Sequence, residues 1–132
     1  AEPIKTGHLV NILQGLEIGV TREAQALLES AVSGSVESAQ EARECYNNFR
    51  DFLSEYREAM VQGQIAAVDF IELKSRRESW LRKSVMAIGN EELRAQAWSF
   101  IDAILRVLEG LVVCTCIAVA VAVLANQSSQ QR

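Results

Sequence analysis

The chain has 132 residues, 49% of them hydrophobic, with 13 basic and 17 acidic side chains and a net charge of −4. That is long enough for one domain with its own core and lacks the strongly basic face of a nucleic-acid binder. Three cysteines, Cys45, Cys114 and Cys116, are too few and too odd for a disulfide framework.

The single proline, Pro3, is expected outside any helix, and good helix formers dominate the rest of the chain. The fold class that follows is all-α: a long-helix antiparallel bundle of four to five helices with a long, apolar C-terminal helix. Charge is unevenly spread. Residues 1–73 hold five Lys/Arg against twelve Asp/Glu, and residues 74–132 hold eight against five. A mildly basic region therefore adjoins the most apolar part of the chain, which suits an anionic membrane surface or pairing with the acidic half. The first residue is Ala1 rather than Met, so removal of one residue or of a longer leader is expected, and secretion before membrane insertion is one route.

In chain order, residues 1–7 read as an irregular lead-in. Over residues 8–20, Leu9, Leu13, Leu16 and Val20 recur at steps of four, three and four, one face of a short helix. Gly15 and Gly19 weaken it and form a GxxxG spacing; with His8 and Glu17 nearby this reads as a fraying helix end rather than a membrane dimer face. Thr21 is placed to cap a second helix with Glu23 in its first turn. From Ala39 the apolar seam runs Ala42, Tyr46, Phe49, Leu53, Tyr56 and Met60 without a miss, the pattern of a bundle helix. Ser33-Gly34-Ser35 interrupts the run upstream and reads as a kink, because the seam resumes in register.

Gly63 is the obvious reversal point. The next helix is expected over residues 64–88. Its first half is apolar, and its middle carries Lys74, Arg76, Arg77, Arg82 and Lys83 around Trp80. An indole among cations suits a membrane–water interface, so Arg76, Arg77, Trp80, Arg82 and Lys83 are the expected headgroup contacts; a solvated face opposite the acidic helix is the alternative. Gly89-Asn90, followed by Glu91 and Glu92, ends that helix and caps the last one.

Nothing breaks the final helix over residues 91–125. Its first half is amphipathic; from Leu111 to Ala125 there is no charge, and only Thr115 bears a hydroxyl. A helix that is apolar all round is buried in a core or in lipid. The division of the chain is accordingly residues 1–109, an amphipathic helical region, and residues 110–132, an apolar segment with a short polar tail, continuous with the helix that starts near residue 91. Gly110, Cys114, Ala118 and Ala122 place a small residue every fourth position, a stripe suited to close helix packing. Asp102, Arg106 and Glu109 fall on one face just before it and are expected to face an intersubunit axis or each other. Residues 117–123 also alternate large and small with period two, so a strand is the competing local reading.

The only histidine is His8, no phosphate loop occurs, and no catalytic or metal-ligating constellation is present in the sequence. The expected function is that of a non-enzymatic, self-associating membrane protein that inserts or anchors through its C-terminal helix, as an anchor or a pore. Its expected partners are lipid and further copies of itself, with no nucleic acid, small-molecule substrate, cofactor or metal. The alternative is a soluble helical subunit or adaptor that buries the same helix between copies in a filament, shell or oligomer.

Overall fold

The structure, a computed structural model, describes residues 2–29 and 36–130, the side chains of 2–6, 116 and 129–130 excepted. Four helices fill that range: α1 (Glu2–Glu29), α2 (Val36–Val61), α3 (Asp69–Met86) and α4 (Glu91–Gln130). No strand occurs among the described residues, so residues 117–123 are helical and the period-two alternation does not decide their conformation.

The seam of α2 is the spine of the bundle. Ala39, Ala42, Tyr46, Phe49, Leu53, Tyr56 and Met60 are all buried, as their spacing requires of one helix face. Cys45 and Phe52, at neighbouring positions, widen that face so that it meets three partners. Phe52 and Tyr56 reach Phe70 of α3, with ring centroids 6.3 and 5.0 Å apart, and Tyr46 meets Phe100 of α4 at 5.2 Å. Each such side chain contributes about 1.5–3 kcal/mol on burial.

Cross-helix pairs fix the directions. Glu17 bonds Arg57 and Glu23 lies near Tyr46, so α1 and α2 are antiparallel. Asn48 lies against Ser84 and Glu55 against Arg77, so α2 and α3 are antiparallel. Lys74 meets Glu109 and Arg94 reaches the Ile88 carbonyl, so α3 and α4 are antiparallel as well. The bundle therefore runs up, down, up, down.

Several local expectations change. α1 is one helix from Glu2 to Glu29, not a lead-in, a short helix over residues 8–20 and the start of a second helix at Thr21. Pro3 lies in its first turn, where a missing N–H breaks no hydrogen bond. Leu9, Leu13, Val20 and Ala24 are buried, and this packing holds the helix through Gly15 and Gly19. Thr21 does not cap; its hydroxyl donates to the Glu17 carbonyl one turn back. The kink expected at residues 33–35 lies outside the described residues.

Gly63 does end α2. It has φ +73°, its N–H donates to the Met60 carbonyl, and the Gln64 N–H donates to Ala59, the paired bonds of a Schellman cap. α3 begins at Asp69, five residues later than its apolar pattern suggests, because residues 64–68 are used in the turn. There the Asp69 carboxylate accepts the Ala66 N–H at 2.8 Å, and the Tyr56 hydroxyl bonds the Ala66 and Ala67 carbonyls. Asn90 caps α4 as expected, its side-chain oxygen accepting the N–H groups of Glu92 and Leu93. α4 continues through residues 126–130, so the polar tail extends the helix.

Candidate functional site

Two halves of α4 meet different surroundings. Ala97, Ile101, Leu105, Leu108 and Val112 are buried against the other helices. Beyond Val112 the bundle thins to the first turns of α1, because α2 has ended at Val61 and α3 has only begun at Asp69. Val113, Ile117, Val121 and Leu124 are then 42%, 58%, 60% and 65% exposed. The most apolar 18-residue window of this helix has a mean hydropathy of 2.6, and only 12% of it is buried. The protein is thus a helical bundle with one apolar C-terminal helix that could cross a membrane.

The small-residue stripe lies on this uncovered part. Gly110, Cys114 and Ala122 are exposed and Ala118 is half-buried. An added Cβ at Gly110 would meet nothing within 4 Å, so no neighbour in the bundle requires a glycine there. The Thr115 hydroxyl is satisfied by the Leu111 carbonyl at 2.8 Å, which removes the one polar side-chain group that the apolar stretch brings.

Of the polar stripe, the structure brings two members together and takes the third elsewhere. Arg106 pairs with Asp102 at 2.9 Å along the helix, whereas Glu109 turns to Lys74 of α3 at 2.6 Å. The pairing of Glu109 depends on the register between two helices, which spacing along α4 alone does not reveal.

The basic residues around Trp80 spread along the side of the bundle. Arg76 pairs with Glu72, Arg77 with Glu55 of α2, and Arg82 with Glu78. Arg77 also lies 6.0 Å from the Trp80 ring centre, a cation–π contact. Trp80 and Lys83 border a cleft of about 300 Å³ with Glu41, Glu44 and Asn48. With Lys74 level with Glu109, Trp80 lies six residues further from the uncovered end, about 9 Å, and Lys83 about 13 Å. Arg76 and Arg77 are within one turn of Lys74; Trp80, Arg82 and Lys83 are higher up.

Three ion pairs between helices escape a reading of the sequence: Glu17 with Arg57, Glu55 with Arg77, and Lys74 with Glu109. The first is a two-pronged contact, with Arg57 Nε and Nη2 donating to the two Glu17 oxygens at 2.6 and 3.4 Å. The hydrogen bond to Glu17 raises the affinity of the Arg57 guanidinium for its proton, against the opposing effect of burial. The apolar turn residues Val61 and Val68, 63% and 55% exposed, also escape, because single exposed valines carry no signal until the fold groups them.

Elsewhere, burial pushes the Cys45 thiol upward against a hydrogen bond with Ser84, and pushes the Tyr46 phenol up to about 12, helped by the charge of Glu23. Among the described residues no cluster of three or more His, Cys, Asp or Glu could hold a metal ion. No protein-family model, curated protein or solved structure matches the chain.

Proposed function

We propose that this protein is a non-enzymatic membrane protein held to the bilayer by the distal half of α4, with most of the four-helix bundle standing outside the hydrocarbon. The observation that carries the reading is the contrast within that helix: its most apolar window is only 12% buried, although the described residues bury 22 hydrophobic side chains in all. Leaving that surface in water forfeits about 25 cal/mol for each Å² of apolar area, so it requires a cover. Lipid supplies one without further protein. Anchoring fits better than pore lining, because Glu109 is spent on Lys74 and Thr115 on its own helix. In lipid, Gly110, Cys114, Ala118 and Ala122 would offer a second copy a close-packing face.

Flotation with liposomes tests the anchor. The double variant Ile117→Asp/Val121→Asp changes only exposed positions, so the bundle stays folded. Each acid at the centre of a membrane helix costs about 2.5–3.5 kcal/mol on the insertion scale. The parent chain floats with the vesicles and the variant remains in the aqueous fraction; equal recovery of both with the vesicles, or of both in the aqueous fraction, removes the proposal.

Length favours a second reading. The 13 residues from Val113 to Ala125 make about 20 Å of helix, against roughly 30 Å of hydrocarbon. A soluble oligomer that buries α4 between copies needs no such match. It predicts a discrete particle by sizing without detergent and indifference to liposomes.

A further inference from the structure

We infer that α4 does not meet lipid alone: the ion pairs that link the helices mark the level of the membrane surface, and the α2–α3 turn enters the interfacial layer beside α4. The inference rests on the reading of α4 as the membrane anchor and adds which end of the bundle faces the bilayer and how deep it sits.

The first ground is a level shared by all four helices. Glu55 and Arg57 are two residues apart on α2; one pairs with Arg77 of α3 and the other with Glu17 of α1. Lys74, one turn from Arg77, pairs with Glu109 of α4. These contacts form a belt of paired charge around the bundle.

The second ground is what lies past the belt. The three longest stretches free of Asp, Glu, Lys and Arg are residues 110–131, 6–16 and 59–68, of 22, 11 and 10 residues, and no other exceeds seven. They are far apart in sequence, yet the alternating helix directions bring all three to the same end. Of the charged groups beyond the belt, Glu58 and Glu72 lie within a turn of it, Asp69 is engaged with the Ala66 N–H, and Glu2 and Lys5 stand at the start of α1, with Lys5 about 18 Å past Glu17. The layer between the belt and the first turn of α1 is therefore poor in charge, and in a small acidic bundle that layer lies at one end.

The third ground is the turn itself. Backbone groups can leave water only when they have partners. Here the Gly63 cap, the Asp69 carboxylate and the Tyr56 hydroxyl supply them for Gly63, Gln64, Ala66 and Ala67. Val61 and Val68 project from that turn. Placing the belt at the headgroups also lengthens the submerged part of α4: residues 110–125 span about 24 Å, closer to the hydrocarbon thickness than the stretch that starts at Val113.

An environment-sensitive fluorophore on single cysteines tests the inference in the full chain, bound to vesicles of phosphatidylcholine and phosphatidylglycerol. Cys114→Ala/Cys116→Ala is the background, since Cys45 is only 3% exposed and escapes labelling. The sites are Val121→Cys on α4, Val68→Cys on the turn, and Ser79→Cys on α3 above the belt. A blue shift at positions 121 and 68, quenched deeply and shallowly in turn by lipid-borne quenchers, with none at 79, is the expected result. A shift at 121 while 68 stays as wet as 79 overturns the inference and leaves the anchor standing. Shifts at all three mean that the bundle lies on its side and overturn it too; no shift at any site removes the anchor and the inference together. As a second measurement, Val61→Asp/Val68→Asp should weaken vesicle partition on the order of tenfold, with helicity in buffer unchanged, and unaltered partition overturns the inference.

Discussion

The two halves of α4 both carry leucines and valines, and those side chains have opposite fates. Leu108 is 1% exposed and Leu124 is 65% exposed on one continuous helix. Side-chain type does not separate Leu108 from Leu124; the lengths of the neighbouring helices do. α2 ends and α3 begins near the level of Val112, so the core-facing apolar residues before that point are buried, whereas Val113, Ile117, Val121 and Leu124 after it are exposed. Burial here is a property of the assembly of helices, and hydropathy along one helix reports only the demand for it.

The sharpest way to break that comparison is to shorten the same side chain in both halves. Leu108→Ala should cost about 2–5 kcal/mol in urea unfolding, and Leu124→Ala less than about 0.5. In vesicle binding the order should invert, with only Leu124→Ala weakening partition; equal stability losses would mean that the distal half has a protein cover after all. Next in size is an alkaline effect confined to the packed half. The Tyr46 phenol ionises at about 12 in the folded protein against 10.0 when free, so its contribution is complete below pH 10 and is lost as pH rises toward 12. Stability should fall across that window by on the order of 2 kcal/mol, and Tyr46→Phe should flatten the fall once its pH-independent effect is subtracted.

Smaller effects probe the turn where the two halves divide. Tyr56→Phe leaves the Ala66 and Ala67 carbonyls without their hydroxyl donor, a loss of about 1–2 kcal/mol that should also speed amide exchange at residues 64–69. Gly63→Ala puts a side chain at φ +73° and should cost about 1 kcal/mol. Asn90→Ala removes the cap of α4 at the far end, again about 1 kcal/mol, with no change in vesicle binding.

Much of this architecture is legible along the chain wherever a local rule and the fold agree. The α2 seam, the Gly63 reversal, the Asn90 cap and the unbroken α4 each follow from spacing or a single residue's stereochemistry. α1 is less legible because its glycines argue locally against a long helix, and packing against the rest of the bundle supplies the compensating contacts. The start of α3 is hidden for a related reason: Ile65, Ala67 and Val68 look like helix face, but the turn uses them. Of the site residues, the apolar end of α4 and the Asp102–Arg106 pair lie within one helix and can be read from its period. The partners of Glu109, Arg57 and Arg77 sit 35, 40 and 22 residues away. Such pairings depend on register between helices, which no local pattern encodes.

The unbroken course of α4 has a mechanical consequence. Its 40 residues form a shaft of about 60 Å with no proline along it, half clasped by three helices and half bare. No swivel separates the gripped part from the bare part, so torque applied to the tip is felt at once by the aromatic contacts around Phe100. Whatever holds the tip therefore also sets the posture of the head.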